Sequence, residues 1–174
     1  MHFQIENIDN EIKGCKVIHY DFFSDTRGSL WSTFTGDLSA KFGLKPGVHF
    51  NHDKFSISKY GVIRGFHGDF STWKLVTCLD GKIQQAVFDY RVDSPTYKNS
   101  KTWLIKDSEP FSVLIPPGVL NAFGVLSNKA TYHYKLAYLG QYKDHDEQIT
   151  VKWNDPLINI DWLIEKPILS NRDS

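Results

Sequence analysis

Cysteine is scarce. Cys15 and Cys78 are the only two in 174 residues, too few and too far apart for a disulfide framework or a zinc knuckle. Net charge is missing as well: twenty basic side chains balance twenty acidic ones. No basic stripe is available to collect phosphates, so nucleic acid is not an expected partner. No apolar run approaches the length of a bilayer span, and residues 1–6 hold no basic stretch followed by an apolar one. Both absences argue against a membrane association and for a reducing, cytoplasmic setting. Internal repeats and low-complexity segments are lacking, and helical signal is confined to one turn at residues 37–42, stopped by Gly43 and Pro46. There is no Gly-x-Ser-x-Gly elbow, no Walker-type phosphate loop, and no Gly-x-Gly-x-x-Gly opening a helix.

What is present is a strand-rich pattern. With 41% hydrophobic and 14% aromatic residues, the chain can bury one good-sized core, and a single domain over residues 1–174 is expected. Strands are expected at residues 17–23, 29–35, 50–59, 102–106 and 111–115, the last ended by Pro116-Pro117-Gly118. Residues 75–79 and 82–91 flank Asp80-Gly81 and read as a hairpin. Residues 119–126 and 130–137 read as a second strand pair across Ser127-Asn128-Lys129, and 149–153 as an edge strand. Many short strands with turn signals between them predict an all-β sandwich or barrel. Trp162, Ile164 and Ile168 suggest that the tail, from about residue 154 to 174, packs back on that body.

The chain is organised around Tyr60-Gly61-Val62-Ile63-Arg64-Gly65-Phe66-His67-Gly68-Asp69, followed by Trp73-Lys74-Leu75-Val76. Arg64 and His67 are three apart, which places them on opposite faces of a regular strand unless Gly65 bulges it. A metal site of the usual cupin kind is not expected, because no second His follows His67 and the position after the Pro117-Gly118 turn is Asn121. His49 and His52 are spaced awkwardly for one face. Cys78 lies in an apolar strand, where a thiol is normally inert. Acid–base chemistry remains, with His67, Tyr134, Lys74 and Asp173 as candidates. His67, Tyr134 and Asp173 each have a plainer reading: a packed core His, a core or edge aromatic beside Tyr132 and Tyr138, and a carboxylate on a fraying tail. His133 points away from Tyr134 on a strand and has no assigned role.

An ordered set of short motifs adds a resemblance. Asp25-Thr26-Arg27-Gly28, Gly61-Val62-Ile63-Arg64-Gly65-Phe66-His67, Lys74-Leu75-Val76, Asp89-Tyr90-Arg91 with Ser94-Pro95-Thr96, Ile115-Pro116-Pro117-Gly118, Tyr134-Lys135, Trp153-Asn154-Asp155-Pro156 and Leu169-Ser170-Asn171-Arg172-Asp173 occur in sequence. From about residue 17 onward the chain resembles the dTDP-4-dehydrorhamnose 3,5-epimerase family, metal-free cupins of jelly-roll fold that act as dimers without a cofactor. The resemblance implies that His67, paired with Asp173, removes a proton alpha to a C4 ketone. It implies that Tyr134 is the acid on the other face, that Lys74 lies near the keto oxygen, and that Arg27 and Arg64 grip the diphosphate, Arg27 from across a homodimer. Arginine suits that task because its planar fork pairs with phosphate oxygens two at a time.

The departures from the family pattern fall at both ends of the substrate. Asn121 stands where the rhamnose enzymes have His, Gln85 where Asp is usual, and Ser32 where a Glu faces the nucleobase. His52-Asp53-Lys54-Phe55 replaces a segment with Gln and Asn. Asn121, His52, Lys54 and Ser32 are therefore taken as substrate-binding positions. The variant segments, with Gly140-Gln141-Tyr142, resemble a subgroup acting on GDP-linked 4-keto heptoses in capsule synthesis and inverting C3, or C3 and C5. The alternatives are a dTDP-4-keto-6-deoxyhexose 3,5-epimerase, a keto-sugar isomerase on the same scaffold, and a binding barrel with a dead site.

Overall fold

The computed structural model describes residues 2–174. In chain order the strands are β1 (Phe3–Asn7), β2 (Lys16–Tyr20), β3 (Phe22–Asp25), β4 (Gly28–Trp31), β5 (His49–Lys59), β6 (Ile63–Gly68) and β7 (Trp73–Asp80). They continue as β8 (Lys82–Asp89), β9 (Ser100–Lys106), β10 (Phe111–Ile115), β11 (Val119–Val125), β12 (Lys129–Tyr138) and β13 (Ile149–Val151). A short helix, α1 (Gly36–Ala40), is capped by the Thr35 side chain, which accepts from the Leu38 N–H, as a helix N-terminus requires. A six-stranded sheet runs β1-β2-β10-β7-β12-β5, a five-stranded sheet runs β13-β6-β11-β8-β9, and β3-β4 stands apart as a two-stranded ribbon. All pairings within these sheets are antiparallel. This is the expected all-β jelly roll of the cupin type. No helix among the described residues is long and apolar enough to cross a membrane.

From β5 to β8, successive strands alternate between the two sheets, and β9 to β13 alternate again. Two readings of the sequence are corrected by this. Asp80-Gly81 joins β7 to β8, but the two strands lie in different sheets and do not pair. The same holds for β11 and β12 across Leu126–Asn128. Local turn chemistry identifies a reversal but not its partner, and each strand gains more by burying both faces as an inner member of its own sheet. The two crossovers pack together: a Cβ on Gly81, which sits at φ +88°, would lie 2.3 Å from the Lys129 carbonyl. The strand expected at residues 17–23 is also two strands. Asp21 breaks it by exchanging hydrogen bonds with His2, through its carboxylate at 2.8 Å and its N–H at 3.3 Å.

The core fills the space between the sheets. Val76, Cys78, Val113 and Ile115 from one side meet Ile83, Val87, Phe123 and Val125 from the other. Cys78 is buried, and that burial pushes its thiol up to about 12, so it stays protonated and unreactive. Outside the six-stranded sheet, Leu38, Phe42, Leu75 and Leu114 form a second layer under α1. Outside the five-stranded sheet, Phe66, Phe88 and Leu120 pack against Ile158 and Trp162 of the tail. The Gln84 side chain clamps that tail at both ends of its amide, donating to Asp161 O at 2.8 Å and accepting from the Leu163 N–H at 2.8 Å. Further on, Ile168 bonds to Gly61 and Ile63 at the start of β6, which carries the chain to the open end of the barrel.

Candidate active site

A cavity of about 380 Å³ lies between the sheets and is lined from both. Its geometry begins with a bulge. His67 pairs with Asn121 and Arg64 with Phe123, so three steps on β6 oppose two on β11. The extra residue restores a common face, and Arg64 and His67 both reach the cavity, as the sequence allowed only if Gly65 interrupted the strand. Phe66, within the bulge, turns away into the core with no exposure. Gly65 leaves room for the tail. A Cβ there would stand 2.9 Å from Asp173 Oδ1, closer than a carboxylate tolerates.

Asp173 occupies that space. Its Oδ1 is 2.6 Å from His67 Nε2, and its Oδ2 accepts from Ser170 Oγ at 2.8 Å. The carboxyl is only 4% exposed. Burial would raise its pKa, but the hydrogen bond and charge of His67, with bonds from Ser170 and the Gly65 N–H, hold it below the usual carboxylate range. A carboxylate can only accept, so the His67 proton resides on Nε2 and the lone pair on Nδ1. The tail thus fixes both the ring and its tautomer.

Lys74 arrives from β7 in the opposite sheet. It is 4% exposed and donates to the His67 carbonyl at 2.9 Å. Burial pulls its pKa down to about 8, with the nearby Asp69 carboxylate opposing. Tyr134, on β12, lines the same cavity. Burial pushes its phenol well up, against the opposing field of Arg64, so it remains a proton donor at neutral pH. An imidazole on one sheet and an undissociated phenol on the other therefore line one cavity. That arrangement can move a carbon-bound proton off one face of a bound molecule and return one to the other face.

Of the residues singled out from sequence, His67, Tyr134, Asp173, Lys74, Arg64, Asn121 and Lys54 line this cavity. Arg27, Ser32 and His52 do not. Arg27 sits on the β3-β4 turn with its side chain 88% exposed, paired with Asp25 at 2.5 Å. His52 is one step behind the rim, its Nδ1 at 3.3 Å from Tyr138 Oη and its ring edge-on to Tyr142. The Asp89-Tyr90-Arg91 and Ser94-Pro95-Thr96 motifs are scaffold. The Asp89 carboxylate, fully buried, accepts from Arg91, Ser94 and Thr96.

Sequence reasoning missed the rest of the rim. Tyr142 lies beneath Lys54 Nζ at 5.4 Å, and Lys54 also meets Asp144 at 3.2 Å. Arg172 is tied by its Nε to Thr150 Oγ1 at 2.7 Å, while its Nη2 is buried with no hydrogen-bond partner among the described residues. A cation beside Asp173 in the tail motif was the available signal. That signal gives no direction, because a loop residue carries no face preference until the loop is docked.

Comparison with known proteins now bears on this geometry. A family model described as dTDP-4-dehydrorhamnose 3,5-epimerase matches residues 9–174. The dTDP-4-dehydrorhamnose 3,5-epimerase of Shigella flexneri is 29% identical over 170 residues, covering 95% of this chain and 91% of that one. Among solved structures, dTDP-6-deoxy-D-glucose-3,5-epimerase from Legionella pneumophila, in complex with dTDP-4-keto-L-rhamnose, superposes with a TM-score of 0.88 at 29% identity. It covers 99% of this chain and 90% of that chain. NovW of Streptomyces spheroides, described as a 4-keto-6-deoxy sugar epimerase, gives 0.87 at 30% identity and covers 99% and 85%. The bulged strand, the His–Asp pair and the facing tyrosine sit in a chain that belongs to the dTDP-4-dehydrorhamnose 3,5-epimerase family.

Proposed function

We propose that this isomerase epimerises a 4-keto sugar carried on a nucleoside diphosphate, with His67 as base and Tyr134 as acid. His67 Nδ1 takes the hydrogen from the carbon alpha to the ketone, and the C–H electron pair moves into an enolate. Tyr134 then gives its phenolic proton to the same carbon from the opposite face, and the proton on His67 and the charge on Tyr134 relax through solvent. Lys74, buried and cationic below about pH 8, adds a positive field where the enolate oxygen gains charge. Arg64, Arg172 and Lys54 supply cations for the diphosphate. The observation that carries the reading is the placement of the His67–Asp173 pair and Tyr134 on facing sheets around one cavity.

The working unit in this reading is a homodimer. The β3-β4 ribbon holds Arg27 outside the cavity of its own chain and exposes Phe23 at 60% and Leu30 at 74%. Docked on a second copy, it buries those side chains and brings Arg27 and Ser32 toward the neighbouring cavity.

The names of the relatives quoted above support a dTDP-linked 4-keto-6-deoxyhexose, and none of them speaks for the GDP-linked heptose that the variant segments suggested. A second reading, the GDP-4-keto heptose, rests on Asn121, Gln85 and Ser32, which change the sugar and base ends together. One experiment separates them. The protein is incubated in deuterated water with a dTDP-4-keto-6-deoxyhexose or a GDP-4-keto heptose, and deuterium at C3 and C5 and the product configuration are read by NMR. Exchange with inversion supports the epimerase, and its preferred nucleotide decides between the readings. Movement of the ketone to C3 identifies an isomerase instead. No exchange with either substrate refutes the assignment.

A further inference from the structure

The floor of the cavity beside His67 is Asn121, its direct cross-strand partner on β11. Behind Asn121 lie two fully buried polar side chains, Gln85 on β8 and Tyr132 on β12. Gln85 Nε2 donates to the main-chain carbonyl of Ala86 at 3.0 Å and to Asn121 Oδ1 at 2.7 Å. The Tyr132 hydroxyl is 2.5 Å from Gln85 Oε1 and 3.2 Å from Asn121 Oδ1. A backbone carbonyl can only accept, so it fixes which end of the Gln85 amide is nitrogen. That nitrogen, in turn, requires oxygen at the facing end of Asn121. The remaining end of Asn121, its NH2, is left for the cavity. The orientation of this amide is thus set by a chain of obligatory donors and acceptors that starts at the backbone.

We infer that Gln85 is a positioning residue that holds Asn121 with its NH2 directed at an oxygen of the sugar, on or next to the carbon that His67 deprotonates. The inference rests on the epimerase reading and deepens it. Asn121 acts as a specificity-determining donor: it favours sugars with an acceptor oxygen at that place, and it does so without titrating, since an amide has no proton to lose in the working pH range. Packing alone would not explain the arrangement. An apolar pair of similar volume fills the same space without desolvating two amides and a phenol.

The test uses substitutions behind the cavity that do not touch the substrate. Gln85→Glu places a carboxyl where Nε2 was; burial beside the Ala86 carbonyl raises its pKa, and above that value a carboxylate faces Asn121. The Asn121 NH2 then turns inward to donate to it, and the Asn121 oxygen faces the sugar. Gln85→Met removes both amide ends but frees the Tyr132 proton for Asn121 Oδ1, which preserves the orientation. The expected result, above the raised pKa of the introduced carboxyl, is a fall in kcat of about 10–100-fold for Gln85→Glu and less than about fivefold for Gln85→Met, with both variants folded. Protonating the introduced carboxyl makes it a donor again, so the ratio of Gln85→Glu to parent activity rises as pH is lowered. A purely structural role predicts that both variants lose activity in step with thermal stability and that the ratio is flat with pH.

A readout without substrate keeps this separate from the epimerase reading. Side-chain amide NMR should show the Asn121 NH2 exchanging rapidly with solvent in the parent and slowly in Gln85→Glu once the introduced carboxyl is ionised. Slow exchange in the parent, or no change in the variant, overturns the inference whether or not the parent turns over either sugar. Exchange as expected in a parent that is inactive on both sugars leaves the positioning role standing and removes the epimerase reading instead.

Discussion

Replacing Asp173 separates the parts of the His67–Asp173 pair. In Asp173→Asn, the amide oxygen can keep the place of Oδ1, 2.6 Å from His67 Nε2, while the amide nitrogen takes that of Oδ2. The Ser170 hydroxyl, now 2.8 Å from Oδ2, then rotates to accept. The tautomer survives and only the negative charge is lost. A hydrogen bond to a charged group nets about 1.5–3 kcal/mol and a neutral one about 1, so the loss is about 0.5–2 kcal/mol, roughly two- to thirtyfold in kcat. Asp173→Ala also releases the ring and the tautomer, and about 100–1000-fold is expected. The assay is the initial rate of solvent-deuterium incorporation, with KM measured beside it and thermal melting to confirm folding. If Asp173→Ala stays within about threefold of the parent, the tail carboxylate does not serve His67 and the reasoning fails. Stability should follow the same pair with a defined sign. The Asp173 carboxyl is depressed in the folded protein, so its contribution is complete above the unfolded Asp value near 4 and fades as pH falls through the folded one. The stability gap between parent and Asp173→Asn should therefore close on acidification.

Tyr134→Phe should keep exchange at the alpha carbon while product of inverted configuration falls about 100-fold or more, because His67 can return the proton to the face it left; loss of exchange in parallel would place Tyr134 in the first step. Lys74→Met should lower kcat about 10–100-fold and remove an alkaline limb near pH 8, the value to which burial brings the ammonium; an unchanged limb would assign it to another group. Gly65→Ala, whose Cβ meets Asp173 Oδ1 at 2.9 Å, should displace the tail and cost activity about as Asp173→Ala does, whereas full activity would mean the pair tolerates the shift. Gly81→Ala should destabilise the fold by about 2 kcal/mol or more in denaturant melts, through its positive φ and the Lys129 carbonyl 2.3 Å away; a loss under about 0.5 kcal/mol would show that the crossovers are free to part.

Much of the fold is legible in the sequence because strand signals are local. β5, β7, β10, β11 and β12 declare themselves by alternation or by apolar runs between turn residues. β1 does not, since Phe3 and Ile5 alone make too short a pattern. What cannot be read is pairing. The Asp80-Gly81 turn marks where the chain reverses, yet whether the next strand lies beside the last or across the core depends on burial summed over the whole sheet. The site follows the same division. His67 and Tyr134 stand on strands whose ends are marked, while the bulge that turns Arg64 and His67 to one face shows only in the register against β11. Arg172 and Tyr142 reach the cavity from loops, where no period tells which way a side chain turns.

The alternation of strands between sheets has a kinetic consequence. Among the described residues, only β1-β2, β3-β4 and β8-β9 are hairpins of consecutive strands. Elsewhere a strand meets its partners only after large loops have closed, as when β2 finds β10 or β6 finds β13. Loop closure must be met before such contacts reward it, so refolding should lie at the slow end for a domain of this size, milliseconds to seconds or longer, with sheet edges unpaired in the meantime. The β8-β9 hairpin is the natural place for order to begin, and substitutions there should slow folding more than they speed unfolding.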